Sequence, residues 1–384
     1  VSLPEMQRRF RVSGVWCRKT GLPGLQGCRC LPSDVDLRFS QQGRRRPDGF
    51  QVGRVLLQRV FGNQLFELRP LIMKSVFRIG TRKSALALWQ ANWVQSELLK
   101  HFPSLSIHLV TITTKGDKIL DVPLADVGGK ALFVKEIEEA LLEGRIDLAV
   151  HSMKDMPADL PQGLCIGPIP ARENPADVLI ARNDTPFARL AHSARIGTSS
   201  LRRTAQLRCA RPDIEIVALR GNVDTRLRKL DDPTEKLDAI VLAAAGIQRL
   251  GMAHRVTEQL EETVMLPAAG QGALCIEIRQ DDRAIGEKLD VLNHPPTRLA
   301  VMGERSFLHR LEGSCQVPIA AHGTITGDRL NLEGLVADID GRTVYRDRLS
   351  GPEHTPEAVG RELAERLLAR GADKVLEKLA AYGK

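Results

Sequence analysis

Aromatic residues are scarce in this sequence, and long apolar runs are absent. Phe, Trp and Tyr make up only 4% of the 384 residues. No stretch approaches the roughly 18 consecutive apolar residues that a membrane-spanning helix requires. Because 43% of the residues are nevertheless hydrophobic, the chain can bury the cores of two or three domains. The composition excludes a disulfide-stapled miniature protein and predicts a soluble chain with no membrane partner.

Short-range metal and redox motifs are missing as well. The seven cysteines form no CxxC pair, and the nine histidines form no HExxH motif, so the sequence predicts no metal site. Beyond residue 72, the cysteines are Cys165, Cys209, Cys275 and Cys315, which lie far apart in the sequence. This scattered usage is typical of cytosolic proteins, whose thiols stay reduced.

An excess of positive charge occurs only near the N-terminus. The formal net charge is +8, and residues 1–72 account for all of it, since acidic and basic residues are equal in number from 73 to 384. A nucleic-acid-binding surface needs concentrated positive charge and usually aromatic stacking partners. A nucleic-acid-binding protein would therefore depend on a basic arm at 1–72 alone, and we expect no nucleic-acid partner.

Residues 1–72 also lack hydrophobic periodicity, which predicts a disordered basic extension before Met73. Two origins are open. An Arg-rich, acid-poor leader can be an organelle transit peptide. Ser is sparse, however, and Met73 stands directly before the first well-patterned strand, which favours an added upstream segment. We therefore expect a cytoplasmic protein, with an organelle as the alternative if the extension is a targeting signal.

From Val76 onward, short apolar strands alternate with amphipathic helices, which is the pattern of an α/β protein with mostly parallel sheets. Three segments recur in the same order. They are Arg78-Ile79-Gly80-Thr81 with Arg195-Ile196-Gly197-Thr198, Lys115-Gly116-Asp117 with Arg220-Gly221-Asn222, and Ile146-Asp147-Leu148-Ala149-Val150 with Leu237-Asp238-Ala239-Ile240-Val241. The repetition predicts two like-folded domains, 73–172 with 266–290 and 173–265, which face one another across a ligand-binding cleft at the carboxyl ends of their strands.

Residues 295–384 have a different pattern, which predicts a third, small α+β domain. A helix from Gly303 to Glu312 leads into a short polar loop with Ser314 and Cys315. Three strand-like runs follow, separated by Gly-Asp and Asp-Gly turns, as in an antiparallel meander. A single helix from Thr355 to Leu379 is then expected to close the chain.

Small hydroxyl residues and cations meet at the strand-to-helix corners of both repeats. One corner is Thr198-Ser199-Ser200-Leu201-Arg202-Arg203, and the other is Thr81-Arg82-Lys83-Ser84. Helix N-termini attract anions, although ordinary N-caps beside solvated arginines give the same pattern. Further cations fall at expected loop positions after strands, namely Lys115, Lys130, Lys154, Arg220 and Arg226. Their convergence at one edge of the fold predicts a site for a polyanionic small molecule.

Two residues are candidates for the chemistry itself. Asp155 follows the buried strand 146–150 and lies beside Lys154, so its carboxylate can hold a cationic intermediate or move a proton. A helix cap or a structural salt bridge is the alternative role. Cys315 follows a helix end in a polar loop, which favours a reactive or attachment role over the small buried hydrophobe that a lone cysteine usually is.

A series of longer motifs runs from Val76 to the C-terminus. They are, in chain order, Arg78-Ile79-Gly80-Thr81-Arg82-Lys83-Ser84 with Leu86-Ala87-Leu88-Trp89-Gln90, Val127-Gly128-Gly129-Lys130, Phe133-Val134-Lys135-Glu136, His151-Ser152-Met153-Lys154-Asp155, Gly197-Thr198-Ser199-Ser200-Leu201-Arg202-Arg203, Leu219-Arg220-Gly221-Asn222-Val223, Pro267-Ala268-Ala269-Gly270-Gln271-Gly272-Ala273, and Leu311-Glu312-Gly313-Ser314-Cys315. Over this range the chain closely resembles the porphobilinogen deaminase (hydroxymethylbilane synthase) family.

The resemblance implies two periplasmic-binding-protein-like α/β domains around a central cleft, plus the small α+β domain. It implies a transferase of tetrapyrrole (haem) biosynthesis that joins four porphobilinogen molecules, with loss of ammonia, into hydroxymethylbilane. Cys315 would carry the primer of this reaction, a dipyrromethane cofactor bound through a thioether. Ammonia loss leaves an electron-poor cation, and the family's essential aspartate matches Asp155 as the catalytic residue. We expect porphobilinogen as the small-molecule partner and a monomeric protein.

Other positions carry over from the family residue by residue. The cofactor-binding positions are Cys315, Lys154, Arg202, Arg203, Ser200 and Asp117. The substrate-binding positions are Arg82, Ser84, Arg220, Arg226 and Lys130, whose cations suit the acetate and propionate of each pyrrole. One departure is Asp126, where many members carry Lys. A solute-binding receptor is the competing interpretation of the cleft, but it has no use for a domain with Cys315, and we find no convincing secretory signal.

Overall fold

The computed structural model describes residues 41–45, 51–55, 58–61, 64–67, 76–118, 134–311 and 317–382, and the chain forms two compact units, 1–74 and 75–384. The strands are β1 (Gln41–Arg45), β2 (Gln51–Val55), β3 (Gln58–Phe61), β4 (Gln64–Glu67), β5 (Val76–Thr81), β6 (Ser106–Thr111), β7 (Leu148–Ser152), β8 (Leu164–Ile166), β9 (Asp177–Ala181), β10 (Arg195–Gly197), β11 (Glu215–Val217), β12 (Ala239–Ala243), β13 (Glu258–Gln259), β14 (Leu274–Arg279), β15 (Ile319–Thr326), β16 (Arg329–Ala337) and β17 (Val344–Pro352). The helices are α1 (Ala85–His101), α2 (Lys115–Lys118), α3 (Lys135–Leu142), α4 (Leu201–Ala210), α5 (Val223–Asp231), α6 (Ala244–Arg249), α7 (Arg283–Leu289), α8 (Pro295–Arg310), α9 (Pro356–Leu367) and α10 (Asp373–Tyr382). Among the described residues, no helix has both the length and the apolar character needed to span a bilayer.

Two β-hairpins lie within residues 41–67. β1 pairs antiparallel with β2, and β3 pairs antiparallel with β4. The expectation of a disordered extension does not anticipate these strands, although turn-forming sequences, Pro47-Asp48-Gly49 and Gly62-Asn63, lie between the paired segments. The rest of the extension lies outside the described residues, so disorder there stays a prediction.

Two five-stranded sheets with the same topology form the main part of 75–384. The strand order is β6-β5-β7-β14-β8 in one sheet and β11-β10-β12-β9-β13 in the other. In each sheet the first three strands are parallel, and the fourth runs antiparallel to both of its neighbours. Four strands of each sheet therefore run in one direction. This topology confirms the predicted α/β class and the predicted repetition of one unit.

Equivalent hydrogen bonds give the sequence repeat a structural basis. The Arg78 N–H donates to Asp147 Oδ2 at 2.9 Å, and the Arg195 N–H donates to Asp238 Oδ2 at 2.7 Å. Each aspartate in turn donates its own N–H to the carbonyl of the same arginine. In both units, the carboxylate that precedes the third parallel strand thus fixes the start of the central strand. The two strand-to-helix corners therefore occupy equivalent positions in their sheets.

Apolar residues cover both faces of each sheet. Phe77, Ile79, Val94 and Leu98 are fully buried between the first sheet and α1, and the second sheet buries Ile196 among its neighbours. Each such side chain contributes roughly 1.5–3 kcal/mol by leaving water. The chain crosses between the sheets twice, after β8 and before β14, so residues 167–176 and 260–273 link the two α/β units. The domain boundaries 73–172 with 266–290, 173–265 and 295–384 stay a prediction.

The C-terminal region contains the expected three-stranded antiparallel sheet, in the order β15-β16-β17. α8 packs on this sheet, but it begins at Pro295 rather than at Gly303. His294 caps the helix by accepting a hydrogen bond from the Thr297 N–H, and proline fits the first helical turn because that turn needs no N–H donor.

The closing segment is two helices, α9 and α10, and the prediction of a single helix from Thr355 to Leu379 is wrong. Gly371 has a φ of 107°, which lies in the region that favours glycine and interrupts the helix. A Cβ at this position would lie 2.8 Å from the Tyr345 hydroxyl. The break lets the chain turn closely around β17.

Candidate functional site

The carboxyl ends of β5 and β7 open into a pocket of about 410 Å³. Its lining includes Arg82 and Ser84, which follow β5, and His151 and Asp155 at the end of β7. Ser84 is the N-cap of α1, because its Oγ accepts a hydrogen bond from the Ala87 N–H at 3.3 Å. The half-buried Arg82 brings positive charge to the same wall. The first strand-to-helix corner is thus part of a pocket, as the sequence predicts.

Asp155 lies on a 3₁₀ turn, Met153–Asp155, directly after β7. Gly270 packs against this turn: its φ is 73°, and a Cβ there would lie 2.5 Å from Met153 Cγ. The Asp155 side chain is exposed, and its charge acts on Lys154 and on two arginines described below. The fold therefore places one accessible carboxylate within a group of cations.

Lys154 stands next to this carboxylate and is half-buried. Its Nζ donates a hydrogen bond to Gln271 Oε1 at 3.1 Å. Burial and, to a smaller extent, the Arg203 charge lower the pKa of Lys154 to about 8, while the Asp155 charge opposes this shift. Lys154 also lines a second pocket of about 290 Å³, between α1 and α6. Because burial disfavours the charged form of Lys154, a carboxylate bound beside the ammonium stabilises that form.

Arg202 and Arg203 direct their guanidinium groups at a buried carboxylate. Arg202 Nη1 lies 2.7 Å from Asp177 Oδ2, and Arg203 Nε lies 2.9 Å from Asp177 Oδ1. Further N–H groups donate to the carbonyls of Leu266 and Val241, both at 2.8 Å. Although burial alone would raise the pKa of Asp177, the two guanidinium groups hold it well below its usual range. The sequence analysis did not anticipate this partner for its two cofactor-binding arginines.

Other predicted ligands in the second unit keep unused hydrogen-bonding capacity. The Nη1 atom of Arg220 is buried and has no partner among the described residues. Arg226 Nε donates to the Gly221 carbonyl at 2.8 Å, while burial and the Arg203 charge lower the pKa of Arg226 to about 10. Ser200 is the N-cap of α4, but its side chain makes no capping hydrogen bond. Because a buried donor without a partner costs roughly 1–3 kcal/mol, these groups suit an anionic ligand.

Several predicted positions lie outside the described residues. They are Lys130, Asp126 and Cys315, and only the backbone of Asp117 is described, within α2. Lys115 lies at the start of α2, where its backbone N–H donates to a carboxylate oxygen of Glu136. The roles assigned to these residues from the family resemblance stay predictions.

The structure adds Arg249, which the sequence analysis did not single out. α6 places it on the second pocket, where its Nη2 donates to the Gly272 carbonyl at 2.8 Å. Its guanidinium carbon lies 5.7 Å from the centre of the Trp89 ring, within range of a cation–π interaction. Burial lowers the pKa of Arg249. No local motif marks this residue, because the contact joins α1 and α6, which lie far apart in the chain.

Two family models match the chain along most of its length. The model described as "Porphobilinogen deaminase, dipyromethane cofactor binding domain" covers residues 77–287, and the model described as "Porphobilinogen deaminase, C-terminal domain" covers residues 298–369. These ranges contain every residue of the two pockets. They also confirm the expectation of a protein with a dipyrromethane cofactor.

Curated relatives support the same assignment. The chain is 57% identical over 302 residues to a porphobilinogen deaminase from Pelobacter propionicus, covering 79% of this chain and 96% of that protein. It is 56% identical over 302 residues to the one from Geobacter sulfurreducens, covering 79% and 94%. The periplasmic aliphatic sulphonate binding protein SsuA from Escherichia coli is 17% identical, with 62% of this chain and 71% of that protein covered and a TM-score of 0.35, a likeness too weak to support a conclusion. From the family models and the curated relatives together, the chain belongs to the porphobilinogen deaminase family.

Proposed function

We propose that this chain joins four porphobilinogen molecules head to tail, with release of four ammonia molecules, and that one water then releases the product as the linear tetrapyrrole hydroxymethylbilane. The observation that supports this most directly is Asp155, an accessible carboxylate among cations on a pocket wall. Loss of ammonia from porphobilinogen leaves an electron-poor cation, which a fixed carboxylate stabilises. The same carboxylate can accept the proton that leaves the attacking pyrrole. Asp155 is therefore our candidate for the catalytic residue.

The residues present fit a dipyrromethane cofactor, whose pyrroles carry acetate and propionate groups. The Ser200 hydroxyl, which makes no capping hydrogen bond, and the Lys154 ammonium, whose charged form burial disfavours, are donors that such carboxylates would satisfy. When bound, the cofactor supplies the free pyrrole position at which the chain grows. We propose that it is held by Cys315, through a thioether, and by Lys154, Ser200, Arg202, Arg203 and Asp117.

The incoming porphobilinogen also carries two carboxylates and therefore needs cations of its own. We propose that Arg82, Ser84, Arg220, Arg226 and Lys130 bind them. The half-buried arginines Arg82 and Arg226 suit this role, because a guanidinium binds a carboxylate through two parallel hydrogen bonds and holds it in one orientation. That orientation keeps the reacting carbon near Asp155.

Replacement of Asp155 by Asn tests the central role. The change keeps the size and removes the charge, so we expect kcat to fall by about 100-fold or more, while intact-mass measurement still detects the covalent dipyrrole. Asp159→Asn is the matched control, since Asp159 is exposed on the same segment and contacts only His309 through a single 2.9 Å hydrogen bond in the described structure. Wild-type turnover in Asp155→Asn would refute the assignment.

A solute-binding receptor that holds a carboxylate ligand is the alternative use of such a cleft. The two functions differ in one simple observation, the intact mass of the purified protein. A covalent dipyrromethane adduct supports the enzyme, whereas reversible binding without an adduct or turnover supports the receptor.

We further propose that the protein works as a monomer in the cytoplasm, without a nucleic-acid partner. The balance of acidic and basic residues from 73 to 384 supports the last of these points, because a body without excess positive charge has little long-range attraction for nucleic acid. Light scattering of the purified protein and a DNA-binding assay with and without residues 1–72 test these points.

A further inference from the structure

A buried acidic cluster lies directly behind the Asp155 pocket and has no part in the function proposed above. His151 lines the pocket, and its Nε2 lies 3.0 Å from Glu277 Oε2 on β14, with both side chains buried. Glu138 on α3 is buried beside them, with 4% of its surface exposed. The Oε1 atoms of both glutamates are buried and have no hydrogen-bond partner among the described residues.

Ionising both carboxylates inside a protein is costly while one oxygen of each lacks a hydrogen-bond partner, and a proton on one of them removes much of the cost. Burial and, to a smaller extent, the negative charge of Glu277 raise the pKa of Glu138 to about 7. A protonated Glu138 can donate a hydrogen bond. An unpaired carboxylate oxygen such as Glu277 Oε1 can accept it. The other oxygen of Glu277, Oε2, holds the His151 ring through its 3.0 Å contact with Nε2.

The cations around Glu277 make their hydrogen bonds elsewhere. Arg279, two residues further along β14, donates to the carbonyls of Leu141 and Ile146 and pairs with Asp282. Cys275 lies on the same face of β14 as Glu277, and Cys165 pairs with Ile278 in the adjacent strand; burial, together with the Glu277 charge, raises the pKa of both thiols. Arg298 and Arg305 on α8 approach the cluster, but their side chains donate to backbone carbonyls of residues 157, 158 and 167. In the described structure, the side-chain hydrogen-bond partner of Glu277 is His151, at 3.0 Å.

We propose that His151 is a positioning residue of the Asp155 pocket, and that Glu277 and Glu138 form with it one buried proton-sharing unit that couples the affinity of the pocket for carboxylates to pH. This inference rests on the proposed function in one respect, namely that an anionic pyrrole binds in this pocket. Loss of the proton from Glu138 adds a negative charge to the buried cluster behind His151. That charge opposes the carboxylates of porphobilinogen, so binding weakens as the pH rises through neutrality.

The test compares steady-state kinetics of the cofactor-loaded wild type and Glu138→Gln between pH 6 and pH 9. In the wild type, KM for porphobilinogen should rise by about three- to tenfold through pH 7, the scale of one charge acting across a few side chains. Glu138→Gln keeps the neutral form at every pH and should lose this part of the rise. Lys154 loses its charge near pH 8 in both proteins, so the difference between the two profiles isolates Glu138.

Two further variants separate this unit from a purely structural effect. Glu143→Gln is the matched control, since Glu143 is exposed at the C-terminal end of the same helix, where it pairs with the exposed Arg145; its profile should follow the wild type. His151→Gln keeps a donor toward Glu277 and leaves Glu138 in place, so the protein should fold with a normal melting temperature and keep the pH dependence near 7. Because His151 positions the pocket, KM should be higher than in the wild type at every pH. Superimposable profiles for wild type and Glu138→Gln would overturn the proposal.

An infrared measurement keeps the inference testable without turnover. The wild type at pH 6 should show a protonated-carboxyl band that disappears by pH 8 and is absent from Glu138→Gln. Absence of this band in the wild type would refute the shared proton. If the band behaves as expected but the protein does not consume porphobilinogen, the proposed function fails instead.

Discussion

Replacing Arg172 by Gln removes the cation from a buried ion pair at the junction of the three sheets. Arg172 Nη1 and Nη2 lie 2.5 and 3.1 Å from the two carboxylate oxygens of Glu304 on α8, and Arg172 Nε donates to the Gln271 carbonyl at 2.7 Å. Glu304 is fully buried. It also accepts hydrogen bonds from the N–H groups of Gly270 and Gly323, at 2.6 and 2.7 Å. One carboxylate thus joins α8 and β15 to both segments that cross between the α/β units.

The cost of the substitution follows from the charge that is left behind. Breaking a buried pair by removing one partner costs about 3–5 kcal/mol, because the other ion remains uncompensated. The two backbone donors remain, so we expect a loss near the lower limit, about 3 kcal/mol. With an unfolding entropy of about 2.1 cal/mol/K per residue over the unit 75–384, each kcal/mol shifts Tm by roughly 1.5 °C. Tm should therefore fall by about 5 °C.

Calorimetry or a fluorescence melt of the purified protein measures this effect. Arg310→Gln is the control: it lies on the same helix and pairs with Glu365, but both partners are exposed, so its loss should stay below about 1 kcal/mol. In a Glu304→Gln background, Arg172→Gln should cost clearly less, since no buried anion remains. A Tm decrease no larger than that of Arg310→Gln would refute the reasoning.

Three further predictions address the site. Cys315→Ser should give folded protein without the covalent pyrrole and with almost no turnover; an intact mass that still includes the dipyrrole would exclude Cys315 as the attachment point. Because the pKa of Lys154 is lowered to about 8, its positive charge is present below pH 8 and is lost above it. KM for porphobilinogen should therefore rise above pH 8, and Lys154→Arg should flatten that rise in a pH series. Gly270→Ala should destabilise the protein by about 2–4 kcal/mol, since it combines positive-φ strain with overlap on Met153. Gly251→Ala, with a φ of 70° but nothing within 4 Å, should cost only about 1 kcal/mol in denaturant titrations.

The sequence predicts those parts of the site that depend on local order. A parallel strand followed by a helix brings Arg82, Ser84 and Asp155 to one edge of the first sheet, and the pocket there contains all three. The repeated segments predict that the second unit has a similar edge, and equivalent hydrogen bonds of Asp147 and Asp238 bear this out. These features depend on hydrophobic periodicity and on turn residues, and both can be recognised within a few tens of residues of sequence.

Pairings between distant buried charges could not be predicted in this way. Asp177 binds both Arg202 and Arg203, yet it opens a strand whose apolar pattern gives no sign of a carboxylate partner. Glu304 meets Arg172 across 132 positions of sequence. Such pairs form only when separate elements pack together, and a single sequence does not say which charges will be buried. The glycine break at Gly371 was similarly hidden, because glycine occurs in helices at a cost of only about 1 kcal/mol.

The two repeated units use the arginines of their strand-to-helix corners differently, and this difference explains the positive charge of the cleft. At the first corner Arg82 lines the pocket directly, whereas at the second corner one buried carboxylate, Asp177, takes up the charge of one of two arginines. The charged groups linked to the site are the cations Lys154, Arg202, Arg203, Arg220 and Arg226 and the carboxylates Asp155 and Asp177. Cations therefore outnumber carboxylates, and burial together with neighbouring positive charge already lowers the pKa values of Lys154, Arg203 and Arg226. Such a group is stabilised by each carboxylate that enters, so a ligand that grows by adding carboxylate-bearing units relieves a repulsion built into the fold.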